Sequence, residues 1–377
     1  MTKKPISTKA QEVKISRPEA SCGVKARKAG QKTVNVALQG GGAHGAFSWG
    51  VLDKICEDGR IVIDGLSATS AGAMNVAVYS YGMMTGGPAG ARKAMHDFWK
   101  DVSDVGQQYS PVKPTFWETL FGGWENLDHS FSYNSFEAFT RMFSPYEFNP
   151  LNNNPLRDVL HRHVDFKRII ECDCAKMFIC ATNVRTNKIK IFRNKEVTCD
   201  AVLASACLPM LFQAVEIDGE AYWDGGYIGN PALYPLIYHT NTNDLIILPI
   251  NPIHRDEIPK TAHDIYNRIN EISFNSSLLR ELRATTLIKK LVKAAKTETA
   301  DNVEYKALID KFRKLNIHSV SADGVTGDLT VASKFSPDWE FLCHLRDCGR
   351  NAMESWLDKN FDAIGNRSTL NLQTEFE

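Results

Sequence analysis

The tightest constraint on this chain is a pair of strand-to-helix turns built from small residues near its beginning. Thr33 to Gln39, TVNVALQ, alternates Val34, Val36 and Leu38 with polar neighbours, which predicts a strand. It runs into Gly40-Gly41-Gly42-Ala43-His44-Gly45, after which Ala46, Phe47, Val51, Leu52 and Ile55 recur at helical spacing until Asp58-Gly59 ends the helix. Ile61 to Thr69, IVIDGLSAT, is apolar and β-branched, and Ala71 to Met84 is rich in small, helix-compatible residues. Strand, helix, strand, helix with short turns requires a parallel sheet covered by helices. Further strands are expected at Met177 to Asn183, Ile189 to Arg193, Asp244 to Asn251 and Ile317 to Val320, and long charged helices at Thr261 to Lys296 and Pro337 to Phe361.

The chain has 377 residues, 43% hydrophobic and 10% aromatic, with 44 basic and 44 acidic side chains, a balance that suits a globular protein and gives no ground for nucleic-acid binding. The neutrality is uneven. Residues 1–32 hold nine basic and two acidic side chains, a net +7, interspersed with Ser, Gly and Pro. Such a tail is expected to be disordered, without an apolar run for a signal peptide or a membrane span. A solubilising arm is preferred for it over a tether to anionic lipid, at about 1 kcal/mol per basic residue near the surface. Nine scattered cysteines form no pairing framework, and Cys172-x-Cys174 lacks the second ligand pair of a zinc site, so reduced thiols in the cytoplasm and no metal are expected.

Three regions follow: the tail at 1–32, an α/β unit at 33–258 with an aromatic-rich insertion at about 106–154, and a mainly helical extension at 259–377. The insertion carries Phe116, Trp117, Trp124, Phe131, Tyr133, Phe136, Phe139 and Phe143 among Pro and Gly. Two readings stand equally: a cap over an apolar channel in contact with a bilayer, or ordinary packing of short helices on the core.

Three clusters carry chemistry. A glycine loop at the N-terminus of a helix offers free backbone N–H groups to a phosphate or an oxyanion. Gly40-x-Gly42-x-x-Gly45 also satisfies the dinucleotide-binding pattern, with Asp64 near the place of the ribose-binding acid, and the loop by itself does not decide. Ala68-Thr69-Ser70-Ala71-Gly72 sits at the second strand-to-helix junction, where a nucleophile elbow would hold Ser70, although a lone serine there is more often an N-cap. Trp223-Asp224-Gly225-Gly226-Tyr227 favours a turn with a projecting carboxylate, or a plain Asx turn.

Taken in this order, ALQGGGAHGAF, SATSAGAMN and WDGGYIGNP resemble the oxyanion loop, nucleophile elbow and catalytic aspartate motifs of the patatin-like phospholipases, and the resemblance runs from about Val34 to Pro231. The region after Pro259 resembles the extension of a bacterial subgroup. The resemblance implies a three-layer α/β/α fold with a mainly parallel sheet, lipid acyl hydrolysis without a cofactor, and a phospholipid or other acyl ester as substrate, with peripheral membrane contact as an option. It implies Ser70 as nucleophile, Asp224 as its base and the amides of Gly40, Gly41 and Gly42 as oxyanion hole, with Gly45, Ala68, Gly72, Gly225 and Gly226 shaping the turns. Ala68 departs from the usual first glycine of G-x-S-x-G, which a residue with φ below zero accommodates.

A serine needs a base, and histidine usually serves. None of the ten histidines lies in a triad motif; His44, in the glycine loop itself, is expected to face away from the reacting centre. A carboxylate base requires desolvation to raise its proton affinity, or a strong oxyanion hole. The rivals are a dinucleotide-binding oxidoreductase, which leaves Ser70 and Asp224-Gly225-Gly226 unused, and an inactive lipid-binding protein of the same fold, of which Ala68 would be a trace.

Overall fold

A computed structural model describes residues 30–109, 131–171, 175–294, 303–327 and 329–372. Most of the basic tail, the centre of the aromatic insertion and Cys172 to Cys174 lie outside the described residues. Eight strands form one sheet: β1 (Lys32–Leu38), β2 (Ile61–Ala68), β3 (Lys176–Asn183), β4 (Ile189–Arg193), β5 (Val215–Ile217), β6 (Glu220–Asp224), β7 (Asp244–Leu248) and β8 (Asn316–Ser319). Their order is β5-β6-β3-β2-β1-β7-β8, with β4 also on β3. From β3 to β8 along this order every pairing is parallel; β4 and β6 run antiparallel to β3, and β5 antiparallel to β6.

The strands bury both faces, so their residues divide by parity between two apolar layers. Val34, Val36, Leu38, Met177, Ile179, Ile246 and Leu248 face one core, while Ala37, Phe178, Cys180, Leu245, Ile247 and Ile317 face the other. The first layer is covered by α1 (Gly45–Asp58), α2 (Ala71–Tyr109) and the late helix Trp339–Asn360; the second by Tyr234–His239, Ala262–Ala294 and Val303–Lys314. The chain is therefore an α/β/α sandwich with a mostly parallel sheet, as the opening alternation requires.

Two elements depart from expectation. Helix α2 continues past Met84 to Tyr109, broken at Gly87 (φ 61, ψ −153). Pro88 has no N–H to contribute, so it ends one helical run and is well placed to begin the next. The β5–β6 hairpin is the other. Its signal is Asp218-Gly219, with φ of 52 and 79, the pair of left-handed residues that a two-residue hairpin turn needs.

The late segments are built into the same layers as the early ones. Strand β8 extends the sheet beyond β7, and Trp339 stacks on Trp49 of α1 at 6.2 Å. Phe341, Leu342 and Leu345 are fully buried against α1 and α2, and removing the Phe341 ring costs about 3–5 kcal/mol. In the aromatic insertion, helix Phe131–Met142 buries Tyr133 against Ala332, with Phe136 and Phe335 alongside, while Phe139, Met142 and Phe143 remain exposed. Its inner face thus packs as an ordinary helix, and its exposed side mixes Phe139 and Met142 with Asn134, Ser135 and Arg141. No described helix is long and apolar enough to cross a membrane.

Candidate active site

Strand register brings the three clusters to one region. Leu38 pairs with Ala68, Ala68 with Ile179, and Ala181, two residues on, with Asp224, so the segments leaving β1, β2 and β6 emerge near the same edge. Direct contacts finish the job. The Thr69 hydroxyl donates to the Gly229 carbonyl at 2.6 Å, and a Cβ on Gly40 would stand 2.7 Å from the Ser70 Cβ, so only glycine lets the loop lie this close to the serine.

Ser70 sits at the first turn of α2 with φ 55, left-handed backbone that a non-glycine residue adopts at a cost of about 1–2 kcal/mol. Its N–H donates to the Ser205 hydroxyl at 2.9 Å, and its carbonyl accepts from Ala73 and Met74, which fixes the turn at both ends. The side chain stands in front of a helix N-terminus and is half-buried. Ala68 is the last residue of β2, fully buried with negative φ, so its methyl is tolerated. Gly72 packs on the Leu38 carbonyl and Gly45 on Ala71, holding loop and elbow together.

In the glycine loop, Gly40, Gly41 and Gly42 are not equivalent. The Gly40 N–H donates to Asn230 Oδ1 at 2.7 Å, whereas those of Gly41 and Gly42 have no partner among the described residues. Free donors are thus offered by Gly41 and Gly42. Gly42 has φ +59, and a Cβ there would lie 2.3 Å from the Lys334 carbonyl oxygen, so both conformation and space demand glycine. His44 is buried, with Nε2 2.8 Å from the Ser333 hydroxyl and its ring edge on Phe341. Burial, assisted by the Lys334 charge, pushes it down to about 3, so it is a neutral imidazole over the whole physiological range.

Asp224 ends β6, and its side chain is wholly buried. Oδ1 accepts from the Gly226 N–H at 2.6 Å, while Oδ2 has no hydrogen bond of regular geometry. The carboxyl is pushed up to about 7, first by desolvation; the Gly226 amide, the Ser70 side chain acting as donor, and the Lys334 charge each oppose that rise. Ser70 and the carboxylate are therefore within interaction range of each other without a closed, well-shaped bond. Gly225 packs on the Cys180 carbonyl and Gly226 on the Phe274 ring, which locks the turn that carries the carboxylate.

Several further residues shape this neighbourhood, some of them outside every motif. Asn230 receives the Gly40 amide and donates to the Phe274 carbonyl at 3.1 Å. Gln39 accepts from the N–H groups of Ile250 and Asn251, and Asn251 donates to the Gly40 carbonyl at 3.0 Å. Ser205, Ser333 and Lys334 come from short helices with no sequence signature of their own. Gln39 and Asn230 had a local cue, since they lie inside ALQGGGAHGAF and WDGGYIGNP.

The carboxylate suited to a dinucleotide ribose is otherwise engaged: Asp64 Oδ2 accepts from the N–H groups of Asn241 and Thr242 at 2.7 and 3.3 Å, tying down the loop before β7. Among the described residues no group of three His, Cys, Asp or Glu side chains is arranged to hold a metal ion. No curated protein sequence matches the chain. Among solved structures, the crystal structure of VipD from Legionella pneumophila aligns with 94% of this chain and 72% of its own, at 14% identity and a TM-score of 0.36, a likeness too loose to assign anything. The family model for patatin-like phospholipases matches residues 36–237, more than half of the chain and all three clusters. The chain belongs to the patatin-like phospholipase family.

Proposed function

We propose that the protein is a lipid acyl hydrolase working through a Ser70–Asp224 dyad. Family membership supports hydrolysis of lipid esters in general. The observation that carries the finer reading is the pairing of a strained, half-buried Ser70 with a fully buried Asp224 whose proton affinity is raised to about 7. A base of that strength at neutral pH both removes a hydroxyl proton and gives it back, which an ordinary exposed aspartate does poorly.

In this mechanism the Ser70 Oγ attacks the ester carbonyl while Asp224 takes its proton. The carbonyl oxygen becomes an oxyanion and is held by the free N–H groups of Gly41 and Gly42. Collapse breaks the bond to the alcohol, which leaves with the proton from Asp224, and Ser70 remains acylated. Water then attacks the acyl carbon, passes its proton to Asp224, and the fatty acid departs as Ser70 recovers the proton. No cofactor enters any step.

The exposed apolar side chains of Phe139, Met142 and Phe143, at the end of the helix that packs beside the Ser333–Lys334 turn and just after it, suit contact with lipid chains. The experiment is release of fatty acid from a mixed phospholipid extract, with mass-spectrometric identification of products, for the intact protein, Ser70→Ala and Asp224→Asn. Turnover and fluorophosphonate labelling at Ser70 are expected only with the intact residues. Undiminished turnover in Ser70→Ala, or labelling at another residue, overturns the proposal.

A further inference from the structure

Lys334 lies in the short turn Ala332–Phe335, far along the chain from every catalytic motif, yet it packs on the glycine loop and its charge acts on Asp224. Its carbonyl oxygen fills the space beside Gly42. Its ammonium donates to Asn251 Oδ1 at 2.7 Å and to Asn270 Oδ1 at 3.2 Å, and Asn251 in turn donates to the Gly40 carbonyl. The ammonium also stands 5.5 Å from the centre of the Phe274 ring, which also packs on Gly226, the residue that holds Asp224 Oδ1, and on Tyr227. We infer that Lys334 is a positioning residue of the Ser70–Asp224 centre: it braces the glycine loop through Asn251 and supplies the positive charge that balances the buried Asp224 carboxylate.

Two asparagine oxygens do not by themselves explain a lysine. A desolvated ammonium is costly unless an anion compensates it, and a neutral donor would satisfy the same oxygens. The anions that act on Lys334 are Glu271 and Asp224, with Arg255 opposing. Glu271 already has two guanidinium partners, Arg255 and Arg268. Asp224 has none. The other titratable groups that act with it are uncharged at neutral pH: burial pushes the Cys207 thiol and the Tyr227 phenol up to about 12. Lys334 is thus the one cation among the described residues that acts on Asp224. Although part of the side chain stays exposed, the ammonium end is desolvated and is lowered to about 8, still protonated at pH 7.

This inference rests on the reading of Ser70 and Asp224 as the dyad. It is tested by kcat/KM for a soluble acyl ester, and by the rate of fluorophosphonate labelling, from pH 5.5 to 9.5 in the intact protein, Lys334→Met and Lys334→Arg. Without the charge the acid limb is expected to move up by about one pH unit. That gives about a fivefold loss at pH 7 that nearly vanishes by pH 9. Lys334→Arg should restore the acid limb. A loss of the same size at every pH, or none, overturns the inference and leaves the dyad standing. An intact protein that neither turns over nor labels sinks the dyad and this inference with it. Should Lys334→Met fail to fold, as circular dichroism would show, Lys334→Gln keeps a donor to Asn251 without charge and gives the same two readings.

Discussion

Replacing Asp224 with Asn should destroy activity and at the same time stabilise the protein, increasingly so as pH rises. The carboxyl is wholly buried and pushed from 3.8 up to about 7, chiefly by desolvation. Between those values the folded protein holds a proton that the unfolded chain has released, so raising the pH through this window lowers stability. The contribution of the protonated group is complete below about pH 4 and gone once pH has passed about 7. A rise of about 3 units corresponds to about 4 kcal/mol, of which about 2.5 kcal/mol accumulates between pH 5 and pH 8. Asparagine keeps the acceptor for the Gly226 N–H and does not titrate. The variant's advantage over the intact protein should therefore grow by about 2.5 kcal/mol over that range, or about 3–4 °C in melting temperature for a chain of this size. Thermal melts of both proteins at half-unit steps from pH 5 to 8 measure the difference directly, with the other titrating groups cancelling in the comparison. A difference that does not change with pH, or a variant less stable at pH 8, would refute the assignment of a desolvated, high-affinity carboxyl at position 224.

Gly42→Ala forces a methyl against the Lys334 carbonyl from a left-handed backbone. It should cost about 2 kcal/mol or more and abolish turnover; normal activity would show that the loop is free to move away. Ser70→Ala and Ser70→Gly should both be inactive, but the glycine variant should melt higher, by about 1 kcal/mol, because it relieves φ 55. Equal stabilities in urea titration would count against a strained elbow. His44→Gln should leave the pH profile between 5 and 9 unchanged, since the imidazole is already neutral there. A loss of rate comparable with Ser70→Ala would instead bring His44 into the chemistry.

The early strands and helices were legible because the central strands are buried on both faces and β1 and β2 end in turns of small, glycine-containing sequence, a pattern few other structures tolerate. The β5–β6 hairpin was missed even though Asp218-Gly219 announces it, because three- and five-residue strands leave too little periodicity to recognise. The three clusters of the candidate site were legible for a similar reason: backbone that approaches backbone leaves glycines in the sequence, and Gly40 and Gly42 are glycines because Ser70 and Lys334 crowd them. What surrounds the clusters was hidden. Asn251, Ser333 and Lys334 act through tertiary contacts from separate segments, and nothing in their local sequence distinguishes them from surface residues. The glycine triple also concealed an internal difference, since the Gly40 amide is consumed by Asn230 and only the next two are free.

In the proposed dyad a carboxylate takes the part that histidine usually plays as base. Fully exposed, Asp224 would hold its proton too weakly to take one from a serine; fully buried and unopposed, it would stay protonated at neutral pH. The folded chain sets two influences against each other. Desolvation comes from the early layers, where β6 and the Gly225-Gly226 turn close over the carboxyl. Opposition comes first from the Gly226 amide and the Ser70 side chain and then from the Lys334 charge, carried by a late segment that Trp339, Phe341 and Leu345 anchor against α1. The same segment supplies Ser333, whose hydroxyl lies 2.8 Å from His44 Nε2. Anything that loosens the packing of the helix Trp339–Asn360 on α1 should therefore disturb the ionisation of Asp224 before it disturbs the position of Ser70, whose turn is fixed by Ser205 and by α2 itself.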